Sequence, residues 1–203
     1  MHFYLQLYVR GKLPSSGVAI VGSRRPPPDA VAFAYQLAFR LGEPVISGLA
    51  VGIDAAAHRG ALDAKLPTVA FVGYGFGRTD PPEHTELEEA IVNGGGAIAT
   101  LLPPGTRISD ESRIARDRLQ AEHARAIVLI CSEIDGGAMY TMRFARELGR
   151  LRFAVTPPAD APADPHWTGN LACIEDGATP LPFAIEAALR MLRQGNETTS
   201  GPR

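Results

Sequence analysis

The 203-residue sequence predicts an α/β protein with a doubly wound, mostly parallel sheet and helices on both faces. Three observations predict it. Short apolar runs alternate with stretches of helical periodicity through most of the chain. The runs are continuous in hydrophobicity, as strands buried on both sides must be. Glycines follow the strand ends at 22, 48, 73 and 136. These turns would share one rim, the edge at which ligands of such sheets collect.

Phe3 to Val9 alternates apolar and polar residues and reads as a half-exposed edge strand, followed by a polar turn from Gly11 to Gly17. Val18 to Val21 is a buried strand that stops at Gly22. Val31, Ala34, Leu37, Ala38 and Leu41 then recur at helical spacing, with Gly42 as a stop signal. Val45 and Ile46 begin a short strand, and alanine-rich Ile53 to Ala64 reads as a helix. Thr68 to Val72 is a further strand, Leu87, Ala90 and Ile91 mark a helix, and Ala97 to Leu101 gives the next strand. Ala126 to Ile130 and Phe153 to Val155 are strands on either side of a helix introduced by Gly136 and Gly137. Pro157 to Pro165 carries four prolines and reads as a loop. Trp167 to Ala178 returns to a compact pattern. Phe183 to Leu192 is a final amphipathic helix, residues 1–193 make a single domain, and residues 194–203 are expected to form a disordered tail.

Composition narrows the function classes. Hydrophobic residues are 45% and charged residues 21%, with a net charge of −2, so no global basicity argues for nucleic acid and any phosphate binding must be local. No apolar run of about 18 residues exists and Met1 to Arg10 has no signal-peptide pattern, which favours the cytoplasm over a membrane or secreted location. Cys131 and Cys173 are the only cysteines, and Cys131 ends an apolar run, as a buried thiol would. His2, His58, His84, His123 and His166 show no metal-ligand spacing, a Walker A loop is absent, and no cofactor is expected.

Four stretches carry chemistry. Gly22, Ser23, Arg24 and Arg25 join a strand to a helix. Backbone N–H groups and guanidinium groups could converge there on an anion, or Gly22 could simply allow a sharp turn with solvated arginines. In Ser47 to His58, Gly48 and Gly52 allow close backbone approach. Asp54 and His58, four apart, share a helix face as a ribose- or phosphate-positioning pair, an acid–base pair, or a helix-stabilising pair. Gly73 to Gly77 is not a dinucleotide fingerprint, because Arg78 stands where the third glycine is needed. Arg107, Arg113, Arg116, Arg118 and Arg125 are interleaved with Asp110, Glu111, Asp117 and Glu122, the pattern of a solvated helix with local ion pairs.

In order, VAIVGSR (Val18 to Arg24), SGLAVGIDAAAH (Ser47 to His58), PPGT (Pro103 to Thr106), RDR (Arg116 to Arg118) and GNLACIEDGA (Gly169 to Ala178) resemble the DNA-processing protein A family, DprA or Smf. The resemblance implies an extended Rossmann-like core that binds single-stranded DNA and helps to load a RecA-type recombinase during natural transformation, with a homodimer as a further possibility. It implies phosphate contacts from Gly22, Ser23 and Arg24 and from Arg116 and Arg118, and it assigns Ser47, Gly48, Asp54, His58, Gly136 and Gly137 to the same pocket. Catalytic residues are not implied. The family usually has Phe-Pro-x-Arg-Asn-Arg where this chain has Arg113, Ile114, Ala115, Arg116, Asp117 and Arg118, so an aromatic that could stack on a base is missing there. Such stacking is worth roughly 1–3 kcal/mol per base. Family members often add an N-terminal helical domain and a C-terminal winged helix; the length here suits the core alone. The alternative is a nucleotide-binding sensor or nucleotide-processing enzyme of the wider superfamily. The lonely-guy phosphoribohydrolases resemble this fold, but their Gly-Gly-x-Gly-Thr turn is matched here by Gly136, Gly137, Ala138, Met139 and Tyr140, without the third glycine and with the threonine displaced to Thr141.

Overall fold

Alternation along one strand explains the layers. Val18 and Ile20 point into one hydrophobic core while Ala19 and Val21 point into another, and all four are buried. They belong to β2 (Gly17–Val21), the fifth strand of an eight-stranded sheet ordered β1-β5-β4-β3-β2-β6-β7-β8. The computed structural model of the chain describes residues 6–158 and 164–199, with side chains up to residue 195.

The other strands are β1 (Tyr8–Gly11), β3 (Val45–Ser47), β4 (Thr68–Phe71), β5 (Ala97–Thr100), β6 (Ala124–Leu129), β7 (Leu151–Val155) and β8 (Thr179–Leu181). All neighbours pair in parallel except β1, which runs antiparallel to β5 at the edge. The sheet is therefore α/β, doubly wound and mostly parallel. Helices α1 (Pro28–Arg40), α2 (Ile53–Asp63), α3 (Thr85–Asn93) and α7 (Ile185–Thr199) cover one face. Helices α4 (Asp110–His123), α5 (Ala138–Glu147) and α6 (Thr168–Glu175) cover the other.

Chain order places the site. From β2 the chain winds outward through β3, β4 and β5, then returns to lay β6 against the opposite side of β2. The loops after β2 and β6 thus diverge at a switch point and leave a crevice between them.

Strand β8 (Thr179–Leu181) has no counterpart in the sequence reading, and two further elements differ from it. The edge strand is Tyr8–Gly11, later than Phe3 to Val9, because its register with β5 runs from Tyr8 opposite Thr100 to Gly11 opposite Ala97; residues 1–5 lie outside the described ones. The final helix continues through Thr199, across most of the stretch expected to be a tail. Its continuation is packed: a Cβ on Gly195 would lie 3.3 Å from Leu151 Cδ1 and 3.4 Å from Phe153 Cζ of β7. Residues 200–203 lie outside the described ones, as do 159–163 of the proline-rich loop. Both cysteines are free and buried.

Candidate functional site

A pocket of about 600 Å³ opens at the switch point. The loop after β2 supplies Gly22, Ser23, Arg24 and Arg25, and the loop after β6 supplies Ser132, Glu133, Gly136 and Gly137. The two loops are stitched together, with the Ser23 N–H donating to the Cys131 carbonyl at 2.8 Å. Gly22 has no room for a side chain: a Cβ there would lie 2.7 Å from Ile53 Cγ1 and 2.9 Å from the Cys131 oxygen.

The helix N-terminus at the pocket wall belongs to a different helix than the turn suggests. At α1, Pro26, Pro27 and Pro28 have no N–H to offer, Asp29 adds negative charge, and the Ala30 N–H is taken by the Asp29 side chain at 2.8 Å. With the Ser23 N–H also committed, the first turn contributes its arginine side chains rather than a backbone cradle. Helix α5, by contrast, brings Gly136, Gly137 and Ala138 at its N-terminus to the pocket wall, the end that favours negative charge.

Helix α4 forms the facing wall through Arg113, Arg116, Asp117 and Gln120. It is anchored by a Ser109–Ser112 capping box, and the Ser112 hydroxyl donates to the Gly73 carbonyl at 2.6 Å. Arg116 reaches across to Gly48 and Asp54. A Cβ on Gly48 would lie 1.0 Å from its Nη1, so the glycine makes the space that the guanidinium fills. Asp54 Oδ2 accepts from the Gly48 and Ala50 N–H groups at 3.1 and 3.3 Å and lies 3.6 Å from Arg116 Nη1. Arg116 Nε lies 3.1 Å from Asp117 Oδ1. Two buried carboxylates therefore hold one guanidinium.

Burial pushes the Asp117 carboxyl up to about 6; Asp54 adds to the rise, and Arg116 and Arg24 oppose it. Arg113 pairs with exposed Asp110 at 2.8 Å. Arg24 and Arg25 are exposed and make no ion pair among the described residues. They are the uncompensated charges of the pocket. Four buried polar atoms of its lining make no hydrogen bond among the described residues: Arg113 Nε, Arg116 Nη1, Gln120 Oε1 and Thr141 Oγ1.

Gly22, Ser23, Arg24, Asp54, Arg116, Gly136 and Gly137 thus meet around one pocket, with Gly48 at its edge, lining a smaller adjoining cavity with Arg24 and Arg116. Ser47, His58 and Arg118 are placed elsewhere. The Ser47 hydroxyl is buried and donates to the Ile20 carbonyl at 2.7 Å, tying β3 to β2. His58 is fully buried with Nδ1 2.7 Å from Thr68 Oγ1, whose own hydrogen is directed to the Val45 carbonyl at 3.0 Å. Nδ1 is therefore the donor. Burial, reinforced by His84 and Arg116, lowers the His58 pKa to about 3, so the ring is neutral. Arg118 faces away from the pocket, 2.8 Å from Glu122 and 3.9 Å from Glu147.

Three residues that the sequence motifs do not assign complete the site. Arg113 and Gln120 follow from the i, i+3, i+4, i+7 spacing they share with Arg116 and Asp117. Asn170, in the GNLACIEDGA stretch, gives no local signal: its Oδ1 accepts from the Ser132 N–H at 3.0 Å while Nδ2 donates to the Leu129, Ile130 and Val155 carbonyls. It fixes the loop after β6 against β7. Among the described residues, no group of three or more His, Cys, Asp or Glu side chains could hold a metal ion, and no helix is long and apolar enough to cross a membrane.

Comparison with known proteins places this geometry in a family. The family model for DNA recombination-mediator protein A matches residues 3–192. A DNA processing protein DprA of Mycobacterium tuberculosis is 39% identical over 148 residues, covering 71% of this chain and 38% of that protein. The chain thus spans well under half of that relative's length. Among solved structures, DprA of Streptococcus pneumoniae superposes with a TM-score of 0.80 at 26% identity, over 91% of this chain and 65% of that one. DprA of Helicobacter pylori, described for a single-stranded DNA binding mode, gives a TM-score of 0.81 at 22% identity over 93% and 86% of the two chains.

Proposed function

The chain belongs to the DNA recombination-mediator protein A family, and from that membership we propose that it binds single-stranded DNA in the crevice between the loops after β2 and β6. The observation that carries the reading is the unpaired Arg24 and Arg25 at the mouth of a pocket walled by Arg113, Arg116 and the N-terminus of α5. A phosphodiester placed there meets guanidinium forks and a helix dipole together. It would also offer an acceptor to the donors of the lining that have none, Arg113 Nε, Arg116 Nη1 and Thr141 Oγ1.

The protein acts by binding, without turnover. His58 is neutral and enclosed in the core, and Asp54 is engaged with two N–H groups and Arg116. No nucleophile–base pair faces the pocket among the described residues. In this reading the strand is handed to a RecA-type recombinase in the cytoplasm, and the protein works as a homodimer; sedimentation with and without the strand measures the latter.

A fluorescent oligonucleotide titrated at several salt concentrations tests the main claim. Affinity should fall steeply with salt, and Arg24→Ala should make the slope of log K against log salt shallower by about 0.7 for each phosphate that the variant no longer neutralises. Absence of binding at low salt would reject the reading. The pocket volume of about 600 Å³ also lies within the range of small-ligand sites, which keeps a nucleotide sensor as the second reading. A melting shift with nucleoside monophosphates and none with oligonucleotides would select it.

A further inference from the structure

The pocket holds an aromatic side chain that the arginine-rich helix does not supply. Tyr140, in the first turn of α5, is half-buried and lines the crevice opposite Arg24 and Arg113. Arg143, one turn on, places its guanidinium carbon 4.9 Å from the centroid of the Tyr140 ring and 5.5 Å from that of Phe144. Arg143 is exposed and makes no ion pair among the described residues, so the ring contact is what orients it. The Tyr140 ring is thereby braced on the surface of a rigid helix, beside the α5 N-terminus, with the unpaired arginines across the crevice. Among the described residues, no other aromatic side chain lines the pocket.

Resting on the single-strand reading, we propose that Tyr140 is a nucleobase-stacking platform. A base lies against its ring while the adjoining phosphate faces Arg24 and the N-terminus of α5. An aromatic face accepts any base, so the platform adds affinity without sequence preference. Arg143 has two tasks, fixing the ring and adding a positive charge to the path of the strand. The fold thus provides from α5 the stacking surface that the residues before Arg116 lack.

The test compares a fluorescein-labelled oligothymidylate with an abasic strand of the same length and phosphate number, for the native protein, Tyr140→Phe and Tyr140→Ala. Circular dichroism verifies that each variant is folded. The native protein should bind the base-bearing strand about tenfold more tightly than the abasic one. Tyr140→Phe should keep that ratio, and Tyr140→Ala should bring it close to one with the salt dependence unchanged. Equal binding of both strands by the native protein, or an unchanged ratio in Tyr140→Ala, overturns the platform and leaves the single-strand reading standing. Failure to bind either strand at low salt overturns both.

Discussion

Asp117 brings a titratable charge to the pocket wall. Its carboxyl titrates at about 6 because burial disfavours the ionised form. As pH falls through that value the wall loses a negative charge and anion binding should tighten. Replacing it with asparagine should strengthen oligonucleotide binding near neutral pH and flatten its pH dependence around 6, as anisotropy titrations would measure. The same carboxyl affects stability. An acid whose folded pKa lies above the unfolded value of 3.8 keeps its proton longer in the native state, so stability falls as pH rises from about 4 to about 6. The difference is on the order of 2–3 kcal/mol. His58 works in the opposite sense. Its folded pKa of about 3 lies below the ordinary 6.5, so the unfolded chain takes up the proton first and stability is lost as pH falls through that window. Melting temperatures against pH should therefore show two opposing trends in the native protein. Asp117→Asn should melt higher at neutral pH and decline on acidification, the opposing trend of the Asp117 carboxyl being removed.

At the scale of the element, helix α4 divides its arginines by face. Successive residues turn by about 100°, so Arg118 lies about 200° from Arg116, whereas Arg113 shares its side. Arg118 is also held by Glu122 and Glu147 and lies 5.5 Å from the Phe144 ring centroid. Arg113→Ala should weaken strand binding several-fold, and Arg118→Ala should change it less than twofold, both by anisotropy. This division was legible in the spacing, but attention to an arginine-x-arginine pair conceals it. The central strands and the turn at Gly22 were legible because apolar runs and a glycine that ends one are local signals, whereas β8 (Thr179–Leu181) has a single buried residue and no apolar run to mark it. Partners across the sheet were not: Ser47 finds the Ile20 carbonyl, His58 finds Thr68, and Asn170 finds Ser132 only once strands distant in sequence are adjacent. The helical course of residues 194–199 was hidden for the same reason, since Gly195 is seated on Leu151 and Phe153 of another element.

Across the whole molecule, the cores on the two faces share one continuous sheet, and neither face can be lost without exposing the other side of the same strands. Trp167, the single tryptophan, is buried in one core with its ring edge-on to Phe183 at 5.6 Å. Its fluorescence and the far-ultraviolet circular dichroism should therefore follow one coincident melting curve. A bound oligonucleotide should raise both midpoints equally, because ligand held by the native state alone stabilises it as a unit.

The switch point has a consequence in time. Its two lips, Gly22–Arg25 and Ser132–Ala138, lie roughly a hundred residues apart in the chain. At a synthesis rate of about 10 residues per second, the first lip leaves the ribosome some ten seconds before the second. During that interval the crevice lacks its second lip, and a nascent or prematurely ended chain has an incomplete pocket. If the crevice binds as proposed, grip on a strand is reserved for molecules whose translation has carried β6 and the start of α5 into place.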